Sequence, residues 1–414
     1  MIVYLNAERV GRLKQDESGL LQFSYAQTWL EKSIAMPLSR SLPLQSELFP
    51  GRKARPFFAG ILPEEGPREK IAKILGISGS NDFAMLERIG GECAGAVSLL
   101  PEGLTPADPK KVRHRELTEA ELRQLVAELP NRPLMVGMDG LRLSLAGAQD
   151  KLPVVVHNKG ICLPFGDTPS THILKPEPDH FLGLAANEVF CMTLARAVGL
   201  NTPRVEFRRI GKKSCILVQR YDRATDEYGS TIRLHQEDFC QALGFPPERK
   251  YQAEGGPRLS DCISLLRDWS TAPVLDIPSF INCQIFNVLI GNADAHGKNY
   301  SLLYSGGERR LAPYYDLVST LAWPGLSKNL AMKIGGCKSV NAFTIGDWKM
   351  MAKKSGLGWP MMRERMAEIC HSVLSELDEV RAGSKAYGES MATLLHETIG
   401  GRATRMLEAL SGVK

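Results

Sequence analysis

The chain changes character abruptly at Gly291, and this boundary constrains its fold more than any other feature. Residues 280–290 are apolar almost throughout, and their density predicts a buried helix. Gly291 and Asn292 predict the end of that helix. Two β-rich segments follow, 300–304 and 311–317, and the glycine-rich turn between them predicts a hairpin. A short polar loop therefore lies between a buried helix and a hairpin.

The loop and the hairpin carry the residue types that phosphoryl transfer requires. Asp294 and Asn299 lie on the loop in an Asp-x4-Asn spacing, and Asp316 follows the hairpin. In such transfers one carboxylate orients the attacking hydroxyl, while an amide and a second carboxylate hold Mg²⁺ against the phosphates. Taken alone the spacing is weak, because an Asp or Asn after a helix is commonly a cap or turn former.

A lysine and a glutamate upstream fit the same chemistry. Lys175 closes the β-rich segment 171–175, where its ammonium can meet phosphate oxygens at one edge of a sheet. Glu188 lies on the next predicted helix, roughly 183–198. A Lys–Glu pair between strand and helix would fix the ammonium, as kinases require. Each of the two residues could equally be a surface charge.

Two further segments fit a nucleotide site. The loop 144–151 is not a Walker sequence, but its small residues leave room for backbone N–H groups to approach an anion. These small residues are Ala146, Gly147 and Ala148. The β-rich segment 214–219 ends at residues 219–222. In a kinase, the hinge at such a strand end would expose backbone groups to the adenine ring. The polar Gln236 follows at the start of a predicted helix. Either segment alone could be an ordinary turn.

The order of segments predicts an α+β protein with a two-lobed, protein-kinase-like fold. The small lobe is β-rich, and the large lobe is all-helical apart from the hairpin that follows the polar loop. Residues 101–116, rich in proline and basic side chains, are the best linker candidate. The predicted divisions are an N-terminal α+β subdomain (1–104), a linker and helix (105–133), a kinase-like N-lobe (134–228) and a helical C-lobe (229–414).

Local signals define individual helices. Thr118, with Glu121 at the capping-box spacing, predicts a helix that runs to about residue 129. Gly199 predicts the end of the helix that carries Glu188. Residues 389–414 predict one or two amphipathic helices whose leucine-rich stripe faces the core.

Composition narrows the class of protein. Of 414 residues, 43% are apolar and 23% charged, which is typical of a soluble globular protein. No apolar run reaches the ~20 residues of a membrane span. The nine cysteines show no Cys-x-x-Cys pair, so a disulfide framework or zinc site is not expected. A net charge of +5 allows nucleotide or nucleic-acid contact without demonstrating it. We expect a cytoplasmic protein with no membrane partner.

The motifs resemble the signatures of the HipA family, the toxin kinases of bacterial type II toxin–antitoxin systems. The similarity extends nearly from end to end. The matching segments are Ser-Leu-Ala-Gly-Ala-Gln-Asp-Lys (144–151), His-Ile-Leu-Lys-Pro (172–176), Arg-Tyr-Asp-Arg (220–223), His-Gln-Glu-Asp-Phe-Cys-Gln (235–241), Gly-Asn-Ala-Asp-Ala-His-Gly-Lys-Asn (291–299) and Pro-Tyr-Tyr-Asp-Leu-Val-Ser (313–319).

The resemblance implies a Ser/Thr protein kinase that uses ATP and Mg²⁺. Asp294 would be the catalytic base, Asn299 and Asp316 would hold Mg²⁺, and Lys175 would touch the phosphates. Ser144 matches a serine whose autophosphorylation removes the phosphate-binding loop from the site and silences the enzyme. The implied ATP contacts are Ala146, Gly147, Ala148, Gln149, Lys151, Lys175, Gln219, Tyr221, Asp222, Gln236, His296 and Lys298. One departure is Gln219, which stands where an acidic residue is expected, although backbone contacts would survive that change.

The resemblance also implies partners. The protein substrate would be a serine of an aminoacyl-tRNA synthetase, whose phosphorylation stalls translation and produces growth arrest or persistence. A HipB-type helix-turn-helix antitoxin would restrain the kinase, and operator DNA would be bound through the antitoxin complex. Direct DNA binding by this chain is not expected, because it lacks a helix-turn-helix signature and a concentrated basic face.

Two other functions stay open. The Asp-Ala-His-Gly-Lys-Asn loop also resembles the catalytic loops of phosphatidylinositol and aminoglycoside kinases, although no basic membrane-facing segment supports a lipid substrate. Alternatively, the chain is a degenerate kinase that serves as a co-repressor or binding module. The intact set of Lys175, Asp294, Asn299 and Asp316 argues against a degenerate enzyme.

Overall fold

A computed structural model describes residues 1–106, 113–138, 140–166, 168–227 and 229–412. Its strands are β1 (Ile2–Leu5), β2 (Glu8–Gln15), β3 (Leu21–Tyr25), β4 (Val97–Leu100), β5 (Arg113–Glu116), β6 (Leu152–His157), β7 (Gly160–Phe165), β8 (His172–Pro176), β9 (Val205–Ile210), β10 (Lys213–Gln219), β11 (Arg223–Thr225), β12 (Thr231–Arg233), β13 (His235–Asp238), β14 (Ser301–Ser305), β15 (Glu308–Leu311), β16 (Asn329–Ile334) and β17 (Cys337–Ser339). Its α-helices are α1 (Gln27–Leu30), α2 (Gly51–Gly60), α3 (Glu65–Leu75), α4 (Asp82–Ile89), α5 (Glu119–Glu128), α6 (Leu184–Ala197), α7 (Phe239–Leu243), α8 (Leu259–Trp269), α9 (Pro273–Ile290), α10 (Ile345–Lys354) and α11 (Trp359–Ser411).

The chain forms two compact units, and each draws on separate stretches of sequence. Unit 1 comprises Met1–Pro178, Arg209–Pro247 and Leu303–Gly307. Unit 2 comprises Asp179–Arg208, Glu248–Leu302 and Glu308–Lys414. The domains predicted from the sequence are continuous ranges of residues, whereas the two units are discontinuous. The predicted domain boundaries stay predictions.

Unit 1 contains two larger antiparallel sheets and the antiparallel pair β11–β12. In the first, the strand order is β3-β2-β1-β4, and the turn between β1 and β2 places Asn6 in the left-handed region at φ 52°. In the second, neighbouring strands follow the order β5-β7-β6-β8-β10. The core of unit 1 includes the rings of Phe23, Phe49 and Phe58, whose centroids lie 6.1 Å and 5.3 Å from that of Phe23. The burial of this apolar surface stabilises the unit.

Unit 2 is built around α9. Its side chains from Phe280 to Ile290 are nearly all buried, as the apolar run predicted, and α11 and α8 pack against it. Within the described residues, α9 alone has the length and apolar composition to cross a membrane. However, 67% of its length is buried inside the protein, and the core helix of a globular unit passes the same test.

The long helix α11 also packs against α6. Gly388 interrupts its helical backbone, so that two helical segments meet there. The second segment covers the predicted region 389–414 as one helix, which ends at Ser411. A Cβ atom at Gly388 would lie 2.6 Å from the Cβ of Ala186 on α6. Only glycine therefore allows this close approach of the two helices.

Several predicted elements take a different form. The predicted linker residues Arg113 and Arg115 lie on β5, because β7 offers them an antiparallel partner; Lys110 and Lys111 of that linker lie outside the described residues. The segment that begins at His235, predicted as a helix start, is strand β13, and α7 begins only at Phe239.

The regions after the polar loop differ as well. The predicted strand 311–317 ends at Leu311, where β15 stops. Further on, the left-handed backbone of Asp316, with φ 53°, excludes a strand through that residue. A second hairpin, formed by β16 and β17, lies between this segment and α10 and was not predicted. After β13 the described chain is thus mostly helical with two short hairpins, β14–β15 and β16–β17, rather than one.

Candidate active site

The loop after α9 folds as its sequence dictates. Gly291 ends α9 in the left-handed conformation, at φ 73°, which costs glycine little. The Asn292 side chain then stabilises the turn: its Oδ1 accepts a bond of 2.9 Å from the N–H of Asp294, and its Nδ2 donates to Asn287 over 2.9 Å. Thr320 holds the start of the loop, because its Oγ1 accepts from the N–H of Ala293 over 3.0 Å.

Asp294 presents an exposed carboxylate on this loop. The hydroxyl of Tyr251 donates to its Oδ1 over 2.8 Å, and the Tyr251 ring stands edge-on to the ring of His296, with centroids 5.3 Å apart. Asp294 is therefore both oriented and accessible, which a general base requires. Sequence reasoning did not identify Tyr251, because no spacing rule relates it to a loop 43 positions away.

Asn299 closes the loop by a reciprocal pair of hydrogen bonds with His296. The N–H of His296 donates to Oδ1 of Asn299 over 3.0 Å, and the N–H of Asn299 donates to the carbonyl of His296 over 3.0 Å. Lys298, between them, is buried, and its carbonyl accepts from the hydroxyl of Tyr315 over 2.7 Å. One lone pair of the Asn299 amide oxygen stays available to a ligand.

Asp316 is half-buried in a strained backbone conformation. A left-handed φ, here 53°, costs a non-glycine residue roughly 1–2 kcal/mol. The segment is held by Asn187 of α6, which is fully buried: its Oδ1 accepts from the N–H of Ser319 over 2.9 Å, and its Nδ2 donates to the Ser319 carbonyl over 3.1 Å. Strain of this kind persists where neighbouring contacts fix it, often at functional sites.

The oxygen donors of unit 2 suit a hard cation. The segment after Asp316 is bonded to the loop before Asp294, because Thr320 donates to the carbonyl of Gly291 over 2.9 Å. Asn299 and Asp316 offer amide and carboxylate oxygens, the ligand types that Mg²⁺ prefers, with remaining positions filled by water and phosphate. The described residues contain no cluster of three or more His, Cys, Asp or Glu side chains that could hold a metal by themselves.

In unit 1, the loop 144–151 is tightly held. Ser144 is fully buried; its hydroxyl donates to the carbonyl of Ile61 over 3.1 Å, and its N–H donates to the carbonyl of Glu92 over 2.8 Å. Gly147 adopts φ 109°, a conformation that requires glycine, and Lys151 donates to the carbonyl of Ala146 over 2.6 Å. The loop therefore combines a glycine turn with a nearby ammonium group.

The neighbouring loop and strand residues are also ordered. Ala148 is exposed at the tip of the loop, and Gln149 donates to the carbonyl of Pro176 over 3.3 Å. Lys175 is buried on β8, in register with Ile216 of β10. This buried ammonium lies on the sheet that also carries the predicted hinge.

The predicted hinge follows β10. Gln219 is exposed at the strand end, and Tyr221 donates from its hydroxyl to Oε1 of Gln236. Gly95 lies against Gln236; a Cβ at Gly95 would come within 2.8 Å of the Gln236 nitrogen, and its φ of 73° also requires glycine. The pairing of Tyr221 with Gln236 links two residues that the sequence suggested separately.

Asp222 belongs to a buried ion network. Arg220 donates to its two oxygens over 2.9 Å and 2.7 Å, and the N–H of Gly95 donates to Oδ2 over 2.7 Å. Burial alone would raise the pKa of Asp222, but the guanidinium groups of Arg220 and Arg223 hold it far below its usual value. The carboxylate is therefore ionised and structurally engaged, and its predicted contact with ATP stays a prediction.

Glu92 completes the network, and sequence reasoning did not identify it. Its Oε1 accepts from the N–H of Ser170 over 2.7 Å and from Arg223 over 2.9 Å. Burial opposes ionisation, but Arg220 and Arg223 outweigh it and lower the pKa of Glu92. Glu92 lies in the sequence Gly-Gly-Glu-Cys, which matches no functional motif. Its role therefore becomes visible only in the folded structure.

Each unit thus assembles part of the predicted site. Unit 2 holds Asp294, His296, Lys298, Asn299 and Asp316 on segments joined by hydrogen bonds. Unit 1 holds the loop 144–151 with Lys175, Gln219, Tyr221, Asp222 and Gln236. The predicted pair of Lys175 and Glu188 joins residues of different units and stays a prediction, as do the roles assigned to all of these residues.

Comparisons with known proteins identify relatives over the whole chain. Residues 1–100 match the HipA N-terminal domain, and residues 143–378 match the HipA-like C-terminal domain. The chain is 43% identical over 406 residues to a Sinorhizobium fredii protein named putative kinase Y4mE, with 97% of both chains covered. It is 30% identical over 393 residues to the serine/threonine-protein kinase toxin HipA of Shewanella oneidensis, covering 91% of this chain and 88% of that one.

A solved structure shows the same fold. It is described as the Shewanella oneidensis MR-1 toxin–antitoxin system HipA, HipB and its operator DNA complex. The match has a TM-score of 0.87 at 27% sequence identity and covers 100% of this chain and 98% of the other. This likeness confirms the predicted fold class, an α+β protein with a kinase-like fold.

Proposed function

This chain belongs to the HipA family, and we propose that it is an ATP-dependent serine/threonine protein kinase that acts as the toxin of a toxin–antitoxin pair. The observation that carries the proposal is the oriented, exposed carboxylate of Asp294. It lies on a loop whose other end carries Asn299 and whose base is bonded to the segment after Asp316.

Asp294 acts as the base in this proposal. Its free oxygen accepts the hydrogen of the substrate hydroxyl and aligns that oxygen for in-line attack, while Tyr251 keeps the carboxylate in one orientation. Such catalysis consists mainly of positioning and electrostatic stabilisation. Asn299 and Asp316 would hold Mg²⁺, which would neutralise charge on the phosphates when bound.

Unit 1 supplies the ATP contacts. Lys175 and Lys151 provide positive charge for the phosphates, and Ala146, Gly147 and Ala148 offer backbone N–H groups. Gln219 and Tyr221 would meet the adenine ring at the hinge. Gln149, Asp222, Gln236, His296 and Lys298 complete the proposed set.

Ser144 gives the enzyme an inhibitory switch. Its buried hydroxyl is bonded to the carbonyl of Ile61, so the loop must leave this position before Ser144 can accept a phosphate. Phosphorylation then adds nearly two negative charges, which a buried site next to a carbonyl oxygen cannot accommodate. The phosphorylated loop therefore stays out, and the phosphate-binding backbone of Gly147 is lost with it.

The partners follow from the family. The substrate we propose is a serine of an aminoacyl-tRNA synthetase, whose modification inhibits growth and promotes persistence in the cytoplasm. A HipB-type antitoxin neutralises the kinase and carries it to operator DNA, by analogy with the solved complex of Shewanella HipA, HipB and DNA.

Substitution of Asp294 tests the proposal. We predict that Asp294→Asn reduces phosphate transfer from radiolabelled ATP to Ser144 and to lysate proteins by about 10²–10⁴-fold, the usual contribution of a general base. Folding and ATP affinity stay unchanged, as measured by circular dichroism and calorimetry. The control is Asp268→Asn, an exposed aspartate on α8. Transfer at wild-type rate by Asp294→Asn would remove Asp294 from this role.

Expression separates a kinase from a co-repressor. Without its antitoxin the wild-type chain arrests growth, and Asp294→Asn does not, if toxicity depends on transfer. Equal growth arrest by both would favour a binding module instead. Label in the small-molecule fraction rather than in a protein band would favour a lipid or aminoglycoside kinase.

A further inference from the structure

Unit 2 contains a basic cavity that the proposed chemistry leaves unused. Its volume is about 160 Å³, and it is enclosed by the start of α8, the end of β16 and the end of α10. Each of these elements contributes one cation to the lining: Arg258, Lys333 and Lys354. Three segments from distant parts of the chain therefore each contribute a basic residue to the lining of one depression.

Nothing in the described part of the chain neutralises these cations. No described carboxylate lies within ion-pair distance of Arg258, Lys333 or Lys354. The neighbouring Asp261 is occupied, because its Oδ2 accepts from the backbone N–H of Arg258 over 2.9 Å. Like charges in one site repel each other, so an anion that binds there gains from all three.

The backbone adds to the positive potential. Helix α8 begins at the cavity, where Leu259 and Ser260 form its first turn and its positive dipole end. At the opposite wall, the C-terminal end of α10 is the negative end of a helix, but Arg267 caps it by donating to the carbonyl of Ser355 over 2.7 Å. The polar residues Ser260 and Ser355 also line the cavity, and the Ser355 hydroxyl donates to the sulfur of Met351 over 3.8 Å.

The cavity adjoins the loop of Asp294 by two routes. The Gln252 side chain accepts from the N–H of Lys333 over 2.7 Å, and its neighbour Tyr251 donates to Asp294. On β16, the N–H of Ala331 donates to the carbonyl of Ala293 over 2.8 Å, two positions before Lys333. Two strand residues span roughly 7 Å, so the cavity begins about that far from the loop.

We propose that this cavity binds an oxygen anion of the protein substrate, either a carboxylate or a phosphate group. An extended peptide rises roughly 3.3 Å per residue, so the anion stands two to three residues from the accepting hydroxyl. The cavity then selects substrates by charge. This inference rests on the proposed kinase function, and it deepens that function by naming a substrate class.

Calorimetry tests binding independently of transfer. The full chain is saturated with Mg²⁺ and a non-hydrolysable ATP analogue, so that the nucleotide site cannot take up the probe. O-phospho-L-serine and N-acetyl-L-aspartate are then titrated. We expect saturable binding of at least one probe, weakened at least tenfold in Lys333→Gln/Lys354→Gln. The matched control, Lys338→Gln/Lys353→Gln, removes two exposed lysines outside the cavity and binds as the wild type does.

Two results of the titration would overturn the proposal. One is the absence of binding by both probes. The other is an equal loss of affinity in the cavity variant and in the control, which would indicate a general effect of net charge.

Peptide substrates test the role in selection. Serine peptides carrying aspartate, phosphoserine or alanine two or three positions from the acceptor are compared with ATP as donor. We expect the anionic peptides to have a KM about tenfold lower than the alanine peptide, and Lys333→Gln/Lys354→Gln to erase the difference. The better of the two anionic residues identifies the source of the anion.

The two hypotheses fail in different ways. Transfer to Ser144 and to all peptides without a preference for anions overturns the substrate role of the cavity alone. Absence of transfer to Ser144 and to every peptide contradicts the proposed kinase function, and the titration then still decides whether the cavity binds anions.

Discussion

Glu92 connects two parts of unit 1 that lie far apart in sequence. Its backbone holds the loop of Ser144, since its carbonyl accepts from the Ser144 N–H over 2.8 Å. Its side chain binds Ser170 and Arg223, next to the predicted hinge. Because one residue holds the phosphate-binding loop and the hinge in fixed relation, we infer that Glu92 positions both halves of the ATP contacts in unit 1.

Glu92→Gln should therefore weaken both stability and ATP use. We predict a loss of about 3 kcal/mol in the free energy of unfolding, because the buried guanidinium groups lose a charged partner. We also predict a higher KM for ATP with a smaller change in kcat, measured by steady-state transfer. The control, Glu102→Gln, removes one partner of the exposed pair with Arg12 and changes stability by less than ~1 kcal/mol.

One outcome would limit Glu92 to a structural role. If stability falls while KM for ATP stays constant, Glu92 only supports the fold. The sign of the pH dependence gives a further check. Because the folded-state pKa of Glu92 is lowered, its contribution is present above the unfolded pKa and is lost as pH falls through the folded value.

At the scale of elements, α6 fixes the segment that follows Asp316. Asn187 forms two hydrogen bonds with the backbone of Ser319 from a fully buried position. Sequence reasoning assigned α6 its bounds and gave a role to Glu188, but it overlooked Asn187. An asparagine on a helix has no distinctive pattern, so its partner is visible only in the tertiary structure.

Asn187→Ala should disturb Asp316 more than it disturbs the helix. We predict a loss of about 2 kcal/mol in stability, because two backbone groups of Ser319 are left unsatisfied in a buried place. The Mg²⁺ concentration for half-maximal transfer should rise several-fold, because the strained conformation of Asp316 is no longer held. Thr193→Ala, on the exposed face of α6, is the control. An unchanged Mg²⁺ requirement would show that Asn187 acts on stability alone.

Strand β13 places a carboxyl group in the core of unit 1. Glu237 is buried; Tyr304 donates to its Oε1 from its hydroxyl, and Arg40 donates from its N–H over 3.0 Å. Among the described residues its Oε2 has no partner. Burial raises the pKa of Glu237 to about 7. The sequence predicted a helix beginning at His235, but the segment is strand β13. A strand directs alternate side chains to the same face, which places Glu237 in the core.

The raised pKa of Glu237 predicts a pH-dependent stability. Its contribution is complete below the ordinary pKa of 4.5 and is lost as pH rises through about 7. As pH rises from 5 to 8, the free energy of unfolding of Glu237→Gln should increase relative to that of the wild type by on the order of 3 kcal/mol. Both proteins keep His235, whose burial lowers its pKa to about 4, so the difference isolates Glu237.

Denaturant unfolding across this pH range provides the measurement. Glu47→Gln, which changes an exposed glutamate of the same unit, serves as the control and should follow the wild type. A constant difference between Glu237→Gln and the wild type from pH 5 to pH 8 would contradict the raised pKa.

At the scale of the whole molecule, the solvent exposure of the cysteine thiols indicates how well the two units are packed. All nine are free thiols; eight are buried, and Cys337 is half-buried on β17. Burial raises the pKa of Cys93, Cys191, Cys215 and Cys370 to about 12. Because the thiolate is the reactive form, these thiols are protected both by the fold and by their protonation.

We predict that Ellman's reagent labels one thiol of the native protein quickly and all nine in guanidinium chloride. Cys337→Ser should abolish the fast phase, and Cys370→Ser, which changes a buried thiol, should leave it intact. Two or more fast thiols in the native protein would mean that a unit opens readily in solution.

Features that depend on near neighbours could be predicted before the fold was known. The end of α9 at Gly291, the capping box of Thr118 and Glu121, and the spacing of Asp294, Asn299 and Asp316 could all be read from the sequence. Glycine conformation, helix capping and motif spacing act over a few residues, so a local pattern encodes them fully.

The contacts between residues far apart in sequence became visible in the folded protein alone. The tertiary structure buried Ser144, set Tyr251 against Asp294, joined Glu92 to Arg223, and brought Lys333 and Lys354 to one cavity. These contacts depend on how packed elements face each other. The same local sequence can face solvent or a partner, and the choice follows from the burial of apolar surface over the whole unit.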